Sequence, residues 1–117
     1  MSFWRKEVID PALAAETRRQ EDEQRAWIAR EPHNPEPYHN LAQLYRIQGR
    51  QDEALGLLLE AVRLRPDYSA AHAALAEVYA VRGDNRAAWR HARLAESHGE
   101  PRAAELLRRH AVPEEPS

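Results

Sequence analysis

Six histidines are the side chains of this sequence that could bind a metal ion or transfer protons. No two of them stand three or four positions apart, so no predicted helix presents a histidine pair on one face as helical metal motifs do. The sequence also lacks a phosphate-binding loop and a Gly-x-Ser-x-Gly nucleophile motif. We therefore predict no metal site. His72 is expected to be packed in a helix contact, and the histidines expected at the surface are His33, His39, His91, His98 and His110.

Carboxylates are plentiful, but their positions do not predict catalysis. None of the 19 Asp and Glu residues lies in a helical pattern that would place it in a dry pocket and raise its pKa. The chain has no cysteine, which excludes disulfides, thiolate catalysis and zinc–thiolate sites and suits a reducing compartment. We expect a protein without enzyme activity and without a cofactor.

Composition and charge bound the class of protein further. A chain of 117 residues has room for one domain, and 43% apolar with 31% charged residues is the balance of a globular protein. The formal net charge of -2 gives no case for binding nucleic acid or a membrane. No apolar run has the length of a signal peptide or a membrane span. The expected location is the cytoplasm.

The sequence repeats itself with a period of 34 residues. A fixed period of this size is typical of stacked supersecondary units, each of which cannot bury its apolar face alone. The matching pairs are Leu41 and Leu75, Ala42 and Ala76, Tyr45 and Tyr79, Gly49 and Gly83, Ala54 and Ala88, and Ala61 and Ala95.

Apolar periodicity and stop signals predict only helices. Gly49 and Gly83 are expected to end helices in the left-handed conformation, and Pro32 is expected to end the first helix. In the third helix the apolar stripe around Ala54 and Leu58 is broad enough to predict burial from both sides. The predicted helices span residues 11–30, 35–48, 51–64, 69–82, 85–97 and 102–110.

The run Tyr38-x2-Leu41-Ala42-x2-Tyr45, followed by Ala54 and Leu58, resembles a tetratricopeptide repeat. The resemblance implies an all-α fold, a short α-solenoid of antiparallel helix pairs with an N-terminal helix and a C-terminal capping helix. The predicted divisions are an N-terminal segment and helix (1–33), two repeats within 34–100 (35–68 and 69–100), a capping helix (101–111) and a disordered tail (112–117).

This resemblance also implies a scaffold that binds another protein or a peptide segment in a concave groove. In such arrays the first helix of each repeat lines the groove, although the protein's own termini are an alternative occupant. An accessory subunit of an enzyme complex is a further alternative. Carried over by position, the groove residues are Glu36, His39, Gln43, Arg46, Ile47, Ala70, Ala73, Ala74, Glu77, Ala80 and Val81.

A second hypothesis is that the protein is a self-assembly module. The middle of the N-terminal helix has almost no apolar stripe, and short arrays expose apolar ends. A homodimer would then form through the N-terminal helix and the apolar residues near it. The residues predicted for self-association are Phe3, Trp4, Val8 and Leu13.

Overall fold

The fold is known from a computed structural model, which describes residues 10–114 as six α-helices without a β-strand. The helices agree with the predicted spans, and three of them end one residue earlier than predicted. The all-α prediction is therefore confirmed. The helices are α1 (Pro11–Arg30), α2 (Pro35–Ile47), α3 (Gln51–Leu64), α4 (Ser69–Val81), α5 (Asn85–Ser97) and α6 (Arg102–Arg109).

Local sequence signals set where these helices begin and end. The side chains of Asp10, Asn34 and Asp84 accept hydrogen bonds from backbone N–H groups at the starts of α1, α2 and α5. Gly49 and Gly83 follow α2 and α4 with φ angles of 77° and 81°, a region that favours glycine. These equivalent turns give the two helix pairs the same geometry.

The helices pack in chain order around two apolar clusters that meet at α4. The first cluster joins α2, α3 and α4, and the second joins α4, α5 and α6. Because α4 contributes to both, it holds the two repeats together. The buried residues of the first cluster are Leu41, Ala42, Tyr45, Ala54, Leu58, Ala61, Ala71, Ala74, Leu75 and Val78. Those of the second are Ala76, Ala88, Trp89, Ala92, Ala103, Ala104 and Leu107.

The third helix, α3, is buried as its broad stripe predicts, but on a narrower face. It contacts both α2 and α4, and Leu58 is fully buried between them. The same stripe included Leu59, and that part of the prediction is wrong because Leu59 is 41% exposed. Leu59 points away from both neighbours, so the buried face of α3 centres on Ala54, Leu58 and Ala61.

Polar contacts, rather than an apolar stripe, attach the middle of α1 to the first repeat. The carboxylate of Glu21 is buried and accepts a hydrogen bond from Gln48 at 2.5 Å. Arg25 donates to Glu21 at 3.3 Å and to the hydroxyl of Tyr45 at 2.6 Å. The guanidinium of Arg50 lies over the Tyr45 ring, 3.9 Å from its centroid. This network accounts for a helix whose centre carries few apolar residues.

The segment after α6 begins with a residue that packs on the fold. Val112 lies against the second cluster, and its carbonyl accepts a hydrogen bond from the indole N–H of Trp89 at 3.0 Å. The predicted disordered tail included Val112, which instead covers part of the apolar surface of α5 and α6. Within residues 10–114, no helix combines the length and apolar content needed to cross a bilayer.

Candidate peptide-binding groove

A recess runs along the surface formed by α2, α4 and α6. The first helix of each repeat lines it, and α6 occupies the place that the first helix of a third repeat would take. The recess contains two neighbouring cavities that share residues of all three helices. One cavity is lined largely by charged side chains and the other largely by apolar ones.

The charged cavity has a volume of about 440 Å³. Both signs of charge are present, so the cavity presents alternating charges rather than a uniform field. Its lining residues are Gln43 and Arg46 from α2, Ala73 and Glu77 from α4, and Glu100, Arg102, Ala103, Glu105, Leu106 and Arg109 from the segment of α6.

The apolar cavity has a volume of about 280 Å³ and adjoins the charged one. It is wide enough for one or two aliphatic side chains, and Val81 at its edge is 73% exposed. Small residues in its wall let a bound backbone approach closely. Its lining residues are Arg46, Ala76, Glu77, Ala80, Val81, Ala103, Leu106, Leu107, His110 and Val112.

One ion pair crosses the recess and sits at the junction of the two cavities. Arg46 on α2 donates to Glu77 on α4 at 3.0 Å and to Gln43 at 2.9 Å. Both charged residues line both cavities. The Nε atom of Arg46 is buried and has no hydrogen-bond acceptor among the described residues. The pair fixes the spacing between α2 and α4 and leaves one buried donor unused.

The structure brings together about half of the side chains predicted for the groove. Those that line one or both cavities are Gln43, Arg46, Ala73, Glu77, Ala80 and Val81. Glu36 is exposed at the start of α2, and Ala70 is partly buried at the start of α4; neither lines these cavities.

Two predicted groove residues belong elsewhere. Ala74 is a correction: it is buried in the first apolar cluster, because it faces α3 rather than the recess. Ile47 is 83% exposed and lines a different cavity, of about 550 Å³, between α1 and the turn after α2. The residue spacing placed both on the correct helices but could not fix the rotation of each helix.

His39, the remaining predicted groove residue, packs beside the groove rather than in it. Its ring lies 5.4 Å from that of Tyr68, centroid to centroid, and burial lowers its pKa. The imidazole is therefore neutral at pH 7 and offers the groove edge a neutral donor or acceptor rather than a charge.

Sequence reasoning missed the contribution of α6, which it treated only as a cap. Half of the charged cavity is lined by residues of α6 and the segment before it, Arg102, Glu105 and Arg109 among them. The signal was present in the period, because Ala103 and Leu107 follow Ser69 and Ala73 by 34 residues. Extending the 34-residue register past α5 would have placed α6 beside α4.

The histidine predictions divide in the same way. His72 is packed as predicted, but His91 is 7% exposed and contacts it, so the surface prediction for His91 is wrong. His91 follows Leu57 by 34 residues, a position on the inner side of α3, and that spacing could have indicated its burial. Across residues 10–114, no cluster of three or more His, Asp or Glu side chains could hold a metal ion.

Two family models match the chain along these helices. A model described as a TPR repeat matches residues 42–83, and a model described as a tetratricopeptide repeat matches residues 25–56. The matches overlap and together span residues 25–83, half of the chain. The chain belongs to the tetratricopeptide repeat family.

The tetratricopeptide matches agree with the helix packing. The second of them begins at residue 25, inside α1, which supports treating the last turns of α1 as the second helix of an incomplete repeat. No curated protein matches the chain. Tetratricopeptide repeats generally mediate protein–protein interaction and are typically non-catalytic, so the class of function is that of an interaction module.

Proposed function

We propose that this tetratricopeptide repeat protein is a non-catalytic adaptor that binds a peptide or helical segment of a partner protein in the recess of α2, α4 and α6. The observation that carries the proposal is the recess itself, in which a charged and an apolar cavity adjoin at the Arg46–Glu77 ion pair. A segment with one or two aliphatic side chains beside polar groups has the matching chemistry. Its expected location is the cytoplasm, which suits a chain without cysteine.

The preformed cavities support binding without a large rearrangement. Helices on three sides hold the recess open, and the apolar clusters beneath it are tightly packed. Binding to a rigid surface avoids much of the entropy loss that a mobile surface would incur. The buried Nε atom of Arg46 would gain an acceptor if a partner carbonyl or carboxylate reached it.

Charge reversal at the centre of the recess tests the proposal. The partner is first isolated by pull-down from native lysate with the full chain, which also shows whether it is an enzyme. We expect Glu77→Arg to weaken its binding by about tenfold or more, because the change places two like charges where the ion pair bridged the cavities. Affinity would be measured by calorimetry or by surface-immobilised titration.

Glu60→Arg on α3 is the matched control. Glu60 forms a similar ion pair with Arg63, but on a helix that does not line either groove cavity. This variant should bind the partner within about twofold of the unchanged chain, since exposed ion pairs contribute little to stability. Weaker binding by Glu60→Arg together with unchanged binding by Glu77→Arg would place the partner on the opposite face.

Self-assembly is a second candidate function, supported by the apolar edge beside α1. Leu13 and Ile47 are 62% and 83% exposed, and both line the cavity of about 550 Å³ at that edge. Phe3, Trp4 and Val8, which were predicted to take part, lie outside the described residues. If copies associate here, light scattering will show a dimer, and Leu13→Glu will convert it to a monomer; a monomer in both samples would exclude this candidate.

A further inference from the structure

A buried pair of imidazoles joins α4 to α5. His72 and His91 are 4% and 7% exposed, and their Nδ1 atoms lie 3.0 Å apart. The rings are 5.2 Å apart, centroid to centroid, and the Tyr79 ring stacks on His91 at 5.5 Å. Each ring is thus enclosed by aromatic neighbours and is directly hydrogen-bonded to the other.

The contacts of the pair fix where its protons lie. The Nε2 atom of His72 is 2.7 Å from the carbonyl oxygen of Pro66, and a carbonyl can only accept. His72 Nε2 therefore carries a hydrogen, which leaves Nδ1 of the neutral ring with a lone pair. The Nδ1 atom of His91 must then donate to it. With both rings neutral, both hydrogen bonds are satisfied in this one arrangement of protons.

The surroundings of the pair disfavour added charge. The groups that face it are the Pro66 carbonyl from the turn before α4, the Tyr79 ring from α4 and the cationic Arg90 from α5. Among residues 10–114, no carboxylate forms a hydrogen bond with either imidazole. Burial, then the charge of His72 and that of Arg90, lowers the pKa of His91 to about 4.

The sign of the resulting pH dependence follows from this lowered pKa. An unfolded histidine titrates near a pKa of about 6.5, well above the value for His91 in the folded chain. The stabilisation that His91 provides when neutral is therefore complete above about pH 6.5 and is lost as the pH falls from there toward 4. Acid thus favours opening of the contact between α4 and α5.

Metal binding is the other chemistry that two imidazoles could offer. Their Nδ1 atoms face one another across a hydrogen bond, and the described residues supply no third ligand to form a cluster with them. The geometry is that of a proton-sharing pair.

We propose that His72 and His91 form a proton-sensitive latch, which holds α5 on α4 when both rings are neutral and releases it in mildly acidic solution. Because α4 carries Glu77 and α6 packs on α4 and α5, release would loosen the wall of the groove. The stability part of this proposal does not depend on the proposed partner binding.

Unfolding of the full chain in urea at pH 7 and pH 5 tests the latch. The unfolding constant should rise on the order of tenfold from pH 7 to pH 5 in the unchanged chain. In His91→Asn the rise should be several-fold smaller, since the amide keeps a donor toward His72 but cannot take up a proton. His33→Asn, at an exposed histidine, is the matched control and should keep the full rise. Equal pH dependence in the unchanged chain and His91→Asn would overturn the proposal.

Nuclear magnetic resonance on the unchanged chain keeps the test decisive even if His91→Asn fails to fold. At pH 7 the imidazole nitrogen shifts should show the Nε2–H tautomer for His72 and the Nδ1–H tautomer for His91. On acidification to pH 5, amide exchange in α5 should accelerate more than exchange in α2. A His91 ring that titrates near pH 6.5, or exchange that accelerates equally in both helices, would contradict the latch.

Discussion

Leu58→Ala should lower the free energy of unfolding by about 2–5 kcal/mol, the range found when a fully buried leucine is truncated. Leu58 is 0% exposed and lies between α2 and α4, so its removal leaves a cavity at the centre of the first apolar cluster. A short helical array has little stability to spare, because each repeat buries its apolar face only against its neighbours. Urea unfolding followed by circular dichroism measures the change.

The next residue in the chain supplies the control for this prediction. Leu59 is 41% exposed on the outer side of α3, and Leu59→Ala makes the same chemical change on the same helix. We expect it to cost about 0.5 kcal/mol or less, as is usual for surface substitutions. Equal losses for the two variants would mean that α3 is not packed between α2 and α4.

Trp89→Ala should cost about 3–5 kcal/mol, the range for truncating a buried aromatic residue. The indole is 4% exposed in the second cluster, and its N–H donates to the carbonyl of Val112. Removing it takes away the contact that joins α5, α6 and the segment after α6. We expect α6 to detach before the rest of the fold unfolds, which hydrogen exchange of the α6 amides would detect.

Trp89→Phe separates packing from hydrogen bonding at this site. The phenyl ring keeps much of the buried apolar area but leaves the Val112 carbonyl without its donor, so the expected loss is about 1–3 kcal/mol. If Trp89→Phe were as destabilising as Trp89→Ala, the hydrogen bond rather than the packing would dominate. If neither variant changed the exchange of α6, Trp89 would not be what holds α6 in place.

The 34-residue period explains why so much of the fold was predictable. Identical spacing of Leu41 and Leu75, and of Gly49 and Gly83, imposes the same helix lengths and the same turns on both repeats. Stop signals act within a few residues of each helix end, so they can be read without knowing the tertiary structure. The helix bounds and the burial of Leu58 follow from such local information.

The parts that could not be predicted depend on contacts between distant residues. His91 meets His72 across 19 positions, and Arg25 meets Tyr45 across 20 positions, which no helical spacing reveals. Ala74 was placed in the groove because small residues fit both a groove and a helix contact equally well. Its burial is decided by the rotation of α4, which depends on the packing of both clusters together.

Site-specific photo-crosslinking tests the proposed partner groove most directly. A photoreactive amino acid would replace Ala73 in the recess or, separately, Leu59 on the outer side of α3, and the full chain would be irradiated in native lysate. The groove account predicts that one partner protein is captured at position 73 and not at position 59. Capture of that partner only from position 59, or from neither position while it still co-purifies with the chain, would contradict the account.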